Sequence, residues 1–210
     1  MQLSLFNDDF NIDDFNKNAL QQLEGLSLHA KYITLEEEKY LINEIDKNPW
    51  LTDLSRRVQH YGYKYDYKAR KIDNSFFLGE LPQFLKKIGK RLFNEKLIDF
   101  IPDQAIINEY EPGQGISQHI DCEPCFGDII ISLSLGSSAI MTFTKEINSK
   151  EKIELFLDRN SLLIMSGISR YKYYHGIPAR KKDNIGNKPL QRQRRLSITF
   201  RKINLNKDKS

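Results

Sequence analysis

Two cysteines in 210 residues are too few for a disulfide scaffold, and that scarcity fits a reducing compartment. No apolar run approaches membrane-spanning length, so no membrane partner is expected. The N-terminus lacks a basic stretch followed by an apolar core, which argues against a secretory signal and for an intracellular, cytoplasmic location. Internal repeats and low-complexity segments are also missing, and with them the repeat architectures. What is present, 40% hydrophobic and 29% charged residues, suits a single globular domain with a sizeable core, expected to be a monomer.

Charge is unevenly placed within the net +4. Residues 1–16 carry Asp8, Asp9, Asp13 and Asp14 and no cation, whereas residues 179–202 carry nine Lys/Arg against Asp183 alone. A basic segment this dense suggests either a polyanionic partner or a solvated loop. Residues 1–26 are polar and poorly patterned and read as an N-terminal extension, followed by a domain over 27–203 and a tail over 204–210.

Leu26 to Tyr32 can form a short strand. Thr34-Leu35-Glu36-Glu37 is a capping box that opens a helix, with Leu41, Ile42 and Ile45 as its apolar stripe and Pro49 beyond its end. In residues 56–72, Tyr61, Tyr63, Tyr65 and Tyr67 alternate, so an extended chain would put four rings on one face, interleaved with Lys and Arg. Aromatic faces stack on bases and cations meet phosphates, although tyrosine also favours ordinary strands. Pro82 starts a second helix that buries Phe84, Leu85, Ile88 and Leu92. From Gln104 onward the pattern is all strand, over 104–110, 116–120, 128–135, 139–144, 152–157, 161–165, 171–175 and 192–203. Helices followed by eight short strands predict an α+β chain built on a double-sheet jelly roll, with the helices packed outside.

The chemistry-bearing residues follow in order. Asn108-x-Tyr110 precedes His119-x-Asp121; His175 lies 56 residues after His119, and Arg195 and Arg201 close the series six apart. Two histidines and a carboxylate can hold one face of a metal and leave other positions open, the arrangement of non-haem Fe(II) oxygenases. Two arginines six apart on a strand point the same way and can hold a small dicarboxylate. Cys122-x-x-Cys125 beside Asp121 could bind zinc or form a redox pair; with no further sulfur in the chain, two free thiols are expected.

This ordered set resembles the AlkB family of Fe(II)/2-oxoglutarate dioxygenases, over about His60 to Ile203. It is most similar to the AlkB-like domain of tRNA wobble-uridine hydroxylases, through His60-Tyr61-Gly62-Tyr63, Asn108-Glu109-Tyr110-Glu111-Pro112-Gly113, Ser132-Leu133-Ser134-Leu135-Gly136 and Ser161 to Gly167. The resemblance implies a double-stranded β-helix with flanking N-terminal helices and a nucleotide-recognition lid over residues 56–72. It implies Fe(II) on His119, Asp121 and His175, with 2-oxoglutarate and O2 as cosubstrates. Arg195 matches the clamp on the far carboxylate of 2-oxoglutarate; Tyr110 and Ser197 match neighbouring positions, and Asn108 and Arg201 match positions near its other end. Glu123 matches a position facing the substrate base. Arg192 and Arg194, in a loop expected to be mobile, are candidate phosphate contacts. The expected partner is nucleic acid, as single-stranded DNA, RNA or tRNA. The expected reaction is oxidative dealkylation of N-alkylated bases; the alternatives are hydroxylation of a modified wobble uridine in tRNA, and a protein hydroxylase or non-catalytic nucleic-acid-binding module.

Overall fold

The computed structural model describes residues 11–186 and 188–205. Its first element is a helix, α1 (Ile12–Gln22), where a poorly patterned extension was expected. The polar composition conceals a narrow apolar face: Ala19 and Leu23 are buried, and Ile12 and Phe15 pack on a satellite cluster. Asn11 caps the helix by accepting from the Asp13 amide at 2.9 Å. Residues 1–10 of the expected extension and 206–210 of the tail lie outside the described residues.

The strand β1 (Leu26–His29) and helix α2 (Leu35–Asp46) follow. The capping box forms as expected, Thr34 Oγ1 accepting from Glu37 N at 3.1 Å and Glu37 Oε2 from Thr34 N at 3.0 Å. After β2 (Arg57–Tyr61), α3 (Gln83–Asn94) begins behind Pro82. The remaining strands are β3 (Gln104–Tyr110), β4 (Ile116–His119), β5 (Ile130–Leu135), β6 (Ala139–Thr144), β7 (Ile153–Leu157) and β8 (Leu162–Met165). A short helix, α4 (Gly167–Tyr171), takes the start of the strand expected at 171–175, so that β9 runs Tyr174–Ile177. The segment expected to be a mobile basic loop is a hairpin, β10 (Lys182–Ile185) and β11 (Lys188–Gln191), before β12 (Arg195–Arg201).

Besides the two-stranded β10–β11 hairpin, the described residues form two larger antiparallel sheets. The larger has the order β1-β8-β5-β12-β3-β2 and the smaller β4-β9-β6-β7. Alternation decides what each face meets. Leu196, Ile198 and Phe200 of β12 join Ile131, Leu133, Ala105 and Ile107 in a core with Leu41 and Ile45 of α2 and Leu85, Ile88 and Leu92 of α3. A second core joins both sheets through Ile130, Leu163, Met141, Phe143 and Leu155. Asn16 of α1 bonds both backbone groups of Phe156 at 3.0 and 2.8 Å, which satisfies the outer edge of the smaller sheet. Among the described residues no helix is long and apolar enough to cross a membrane.

Candidate active site

The opposite face of β12 presents Arg195, Ser197, Thr199 and Arg201, all buried. Its register with β3 sets Arg195 against Tyr110, Ser197 against Asn108 and Arg201 against Gln104. Polar side chains therefore line the inner side of a strand pair whose outer side is apolar except for Glu109. Across from them, β4 and β9 pair His119 with His175, ring centroids 4.5 Å apart. Gly176 permits that approach, because a Cβ there would stand 2.8 Å from Ile116 O and 3.0 Å from Gln118 N.

Asp121 lies just past the end of β4. His119, Asp121 and His175 each bring one donor atom within 4.8 Å of the others. Asp121 Oδ2 is 3.5 Å from His175 Nε2, and Oδ1 accepts from Arg201 Nη2 at 2.6 Å. The Asp121 carboxyl is held well below its ordinary range: burial opposes ionisation, but Arg201 and the two histidines outweigh it. Burial, with His175 beside it, pulls His119 down to about 4. Neutral imidazoles and an ionised carboxylate are the forms that ligate a metal. His119 Nδ1 is 2.8 Å from Ser117 O, which assigns its proton to Nδ1 and frees Nε2 as a lone-pair donor. His175 Nδ1 is buried with no partner.

Arg195 is 3% exposed and meets no carboxylate among the described residues. Its Nη2 donates to Ser134 Oγ at 2.8 Å and its guanidinium lies over the Tyr110 ring at 5.5 Å, while Nε and Nη1 are unpaired. Burial lowers it to about 10. A buried cation with two idle donors is costly unless an anion completes it. A carboxylate suits that fork, so these residues fit a dicarboxylate as well as the triad fits a metal. Ser197 Oγ shares a hydrogen bond with Ser132 Oγ at 2.9 Å, and Asn108 Oδ1 accepts from Arg56 Nε at 2.8 Å.

A cavity of about 290 Å³ opens on His119 and Asp121, walled by Tyr65, Tyr67, Arg70, Phe126 and Ile106. The four tyrosines do not share a face. Positive φ at Gly62 (+76°) breaks the extended run, and Tyr61 turns to Phe84 in the helix-backed core. Tyr63 packs on Phe77; Tyr65 and Tyr67 alone reach the cavity. Glu123 is exposed and does not line it.

Arg192 and Arg194, expected to meet phosphates, are paired within the protein. Arg192 is buried, donating from Nε and Nη2 to Asp183 at 2.7 and 2.8 Å and from Nη1 to Pro178 O at 2.7 Å. Arg194 is held by Glu109 at 2.7 Å and by Asp46. Both guanidiniums are neutralised by carboxylates, Arg192's within its own segment and Arg194's distant in sequence. The free thiols expected at Cys122 and Cys125 are instead a disulfide, the Cys122–Cys125 turn bringing their Cα atoms to 5.3 Å. Arg170 escaped sequence reasoning: it is 1% exposed and donates to the Asp121 and Cys122 carbonyls at 3.0 and 3.4 Å. Nothing in its sequence neighbourhood signals that role.

The model of the 2OG-Fe(II) oxygenase superfamily matches residues 12–201. An uncharacterized protein of Acanthamoeba polyphaga mimivirus is 37% identical over 193 residues, 90% of each chain. The Alkylated DNA repair protein ALKBH8 homolog of Arabidopsis thaliana is 36% identical over 85% of this chain and 58% of its own length. The tRNA (carboxymethyluridine(34)-5-O)-methyltransferase ALKBH8 of Mus musculus is 38% identical over 85% of this chain, which spans 30% of that protein. The structure of OsALKBH1 superposes with a TM-score of 0.63 at 20% identity, covering 85% of this chain and 96% of that one, a likeness of fold.

Proposed function

The chain belongs to the 2OG-Fe(II) oxygenase superfamily, as an AlkB-like dioxygenase using Fe(II), 2-oxoglutarate and O2, and from that premise we propose that it hydroxylates a nucleobase substituent in nucleic acid, with the wobble uridine of tRNA as first candidate. The observation that carries the nucleic-acid reading is the cavity over His119 and Asp121, where Tyr65, Tyr67 and Phe126 offer rings to a planar base and the exposed Arg70 offers a cation near a phosphate. Identity favours the first candidate. The relative named for carboxymethyluridine is 38% identical, against 27% for the DNA N6-methyl adenine demethylase of Caenorhabditis elegans. Dealkylation stays the second reading, favoured by the words "Alkylated DNA repair protein" borne by the Arabidopsis relative at 36%.

In this reading His119, Asp121 and His175 hold Fe(II), which when loaded with 2-oxoglutarate and O2 supplies oxidation of a substrate C–H bond. The protein's own work is positional. Arg195 receives the distal carboxylate of 2-oxoglutarate on its idle Nε and Nη1, with Tyr110 and Ser197 alongside. Arg201 fixes the Asp121 carboxylate from Oδ1, leaving Oδ2 toward the metal side, and with Asn108 borders the other end of the cosubstrate. Tyr65, Tyr67 and Phe126 exclude water and hold the base.

The test is mass spectrometry of nucleosides after incubating bulk tRNA, an anticodon stem-loop and methylated single-stranded DNA and RNA with enzyme, Fe(II) and 2-oxoglutarate. One added oxygen on a wobble-uridine side chain supports the first reading. Lost methyl groups with formaldehyde support the second. Unchanged nucleosides alongside normal succinate formation would remove nucleic acid as the substrate. His175→Ala should abolish every product while circular dichroism stays native.

A further inference from the structure

Five arginines are buried among the described residues: Arg56, Arg170, Arg192, Arg195 and Arg201. A buried cation is costly unless other groups complete it. Arg192 has Asp183, Arg201 has Asp121, and Arg170 donates to two main-chain carbonyls. Arg195 is completed by the distal carboxylate of 2-oxoglutarate. Arg56 stands apart. It is 8% exposed, and its Nε donates to the neutral amide of Asn108, 2.8 Å from Oδ1. Its guanidinium lies over the Tyr110 ring at 6.0 Å. Among the described residues no carboxylate pairs with it, and Nη1 and Nη2 make no hydrogen bond. Arg56 lines the cavity that His119 and Asp121 also line, so those two donors are free for a group that enters there.

We infer that Arg56 receives an acidic substituent of the substrate base, a carboxylate carried on a short arm, resting on the wobble-uridine reading for the ring that bears the arm. The cosubstrate does not account for this cation. 2-Oxoglutarate has two carboxylates, of which Arg195 takes one and the metal side the other. A backbone phosphate does not account for it either. Phosphates follow the exposed cations of the lid, Lys64, Lys68, Arg70 and Lys71, whereas Arg56 is more than nine-tenths buried. A group that reaches it has to project from the base into the cavity. A carboxylate suits what remains of the guanidinium, because Nη1 and Nη2 form a parallel pair of donors once Nε is engaged. The sheet aims that fork. Arg56 directly precedes β2, whose Val58 pairs with Asn108 of β3, the residue that holds Nε.

Two grips then select the reacting carbon. Tyr65, Tyr67 and Phe126 hold the ring and Arg56 holds the carboxylate, so the carbon that joins them is kept in the cavity bordered by His119 and Asp121. Its C–H becomes C–OH with one atom of O2, and the other oxygen leaves in succinate as 2-oxoglutarate loses CO2.

The protein loaded with Fe(II) and 2-oxoglutarate, kept anaerobic, is titrated by fluorescence anisotropy with three anticodon stem-loops. They carry uridine, 5-carboxymethyluridine or its methyl ester at the wobble position. We expect the acid to bind tighter than the other two by about ten- to a hundredfold, the worth of hydrogen bonds to a charged group. Raising the salt should weaken all three yet preserve that ratio, since a buried pair is screened less than a surface one. Arg56→Gln keeps a donor for Asn108 and loses the charge, and should bind the three alike. Arg56→Lys keeps a point charge without the fork and should retain part of the preference. Equal binding of acid and ester by the native protein overturns this role and leaves the wobble-uridine reading standing. A preference that survives in Arg56→Gln overturns it too, and if the 2-oxoglutarate requirement rises in that variant, Arg56 belongs to the cosubstrate. Failure of all three stem-loops to bind at low salt removes both the role and the reading beneath it.

Discussion

At the scale of single residues, the ligand triad was legible because metal chemistry restricts which side chains can serve and the strand pairing keeps them in order. Arg195 was legible as a cation but not as an idle one. Only the packed structure leaves Nε and Nη1 without partners beneath Tyr110. Arg195→Lys should therefore weaken 2-oxoglutarate binding by about 1.5–3 kcal/mol, the worth of a hydrogen bond to a charged group. That corresponds to roughly ten- to a hundredfold in a cosubstrate titration of succinate formation. An unchanged titration curve would move the clamp elsewhere. Arg192 shows the converse limit. A run of cations looks like a phosphate site until its carboxylate appears, and Asp183 shares the segment without revealing that it is fully buried.

At the scale of elements, the strands were readable where short runs rich in apolar and β-branched residues lie between turn signals, as in β3 and β6, whose limits match the expectation residue for residue. The hairpin β10–β11 was not, because beside Ile185 and Leu190 it is held by the Asp183 pairings with Arg192 and Arg180, which apolar patterning does not reveal. Arg192→Ala should leave buried Asp183 with one cation, the partly exposed Arg180, beside the Ile140 amide, at a cost of about 3 kcal/mol, the scale of breaking a buried pair. Thermal unfolding should register that loss, while the salt dependence of RNA binding stays as in the native protein. The lid has its own acid sensitivity. Burial, with Lys64 and Arg201 adding to it, holds His60 down to about 4, and its Nδ1 faces the Tyr65 amide at 3.4 Å. The unfolded chain takes up this proton near 6.5, the folded chain only near 4. Its stabilisation is thus complete above 6.5 and declines as pH falls between those values, by up to about 3 kcal/mol. Melting temperatures of the native protein and of His60→Gln should diverge in slope across that window. Parallel slopes would show that His60 protonates as freely folded as unfolded.

At the scale of the whole molecule, the net charge of +4 misdirects, because much of the basic C-terminal segment is spent internally: Arg194 on Asp46 and Glu109, Arg192 on Asp183. The Arg194 partners lie up to 148 residues away, a separation no local reading of sequence can bridge. The cations left for a polyanion near the cavity are those of the lid, with Lys64, Lys68, Arg70 and Lys71 exposed. Tyr67 stands beside them at 36% exposure. Binding of an anticodon stem-loop should accordingly weaken with salt, with a log–log slope of about 0.7 for each single-strand phosphate met. Lys64→Ala together with Lys68→Ala should flatten that slope by about 1.4 if both lysines meet phosphates. Arg194→Ala should leave it unaltered, since a guanidinium already bonded to two carboxylates releases no counterions from RNA. Fluorescence anisotropy at several salt concentrations reads all three proteins. A slope that falls with Arg194 and not with the lid lysines would return the phosphate path to the C-terminal segment and separate the lid from nucleic acid.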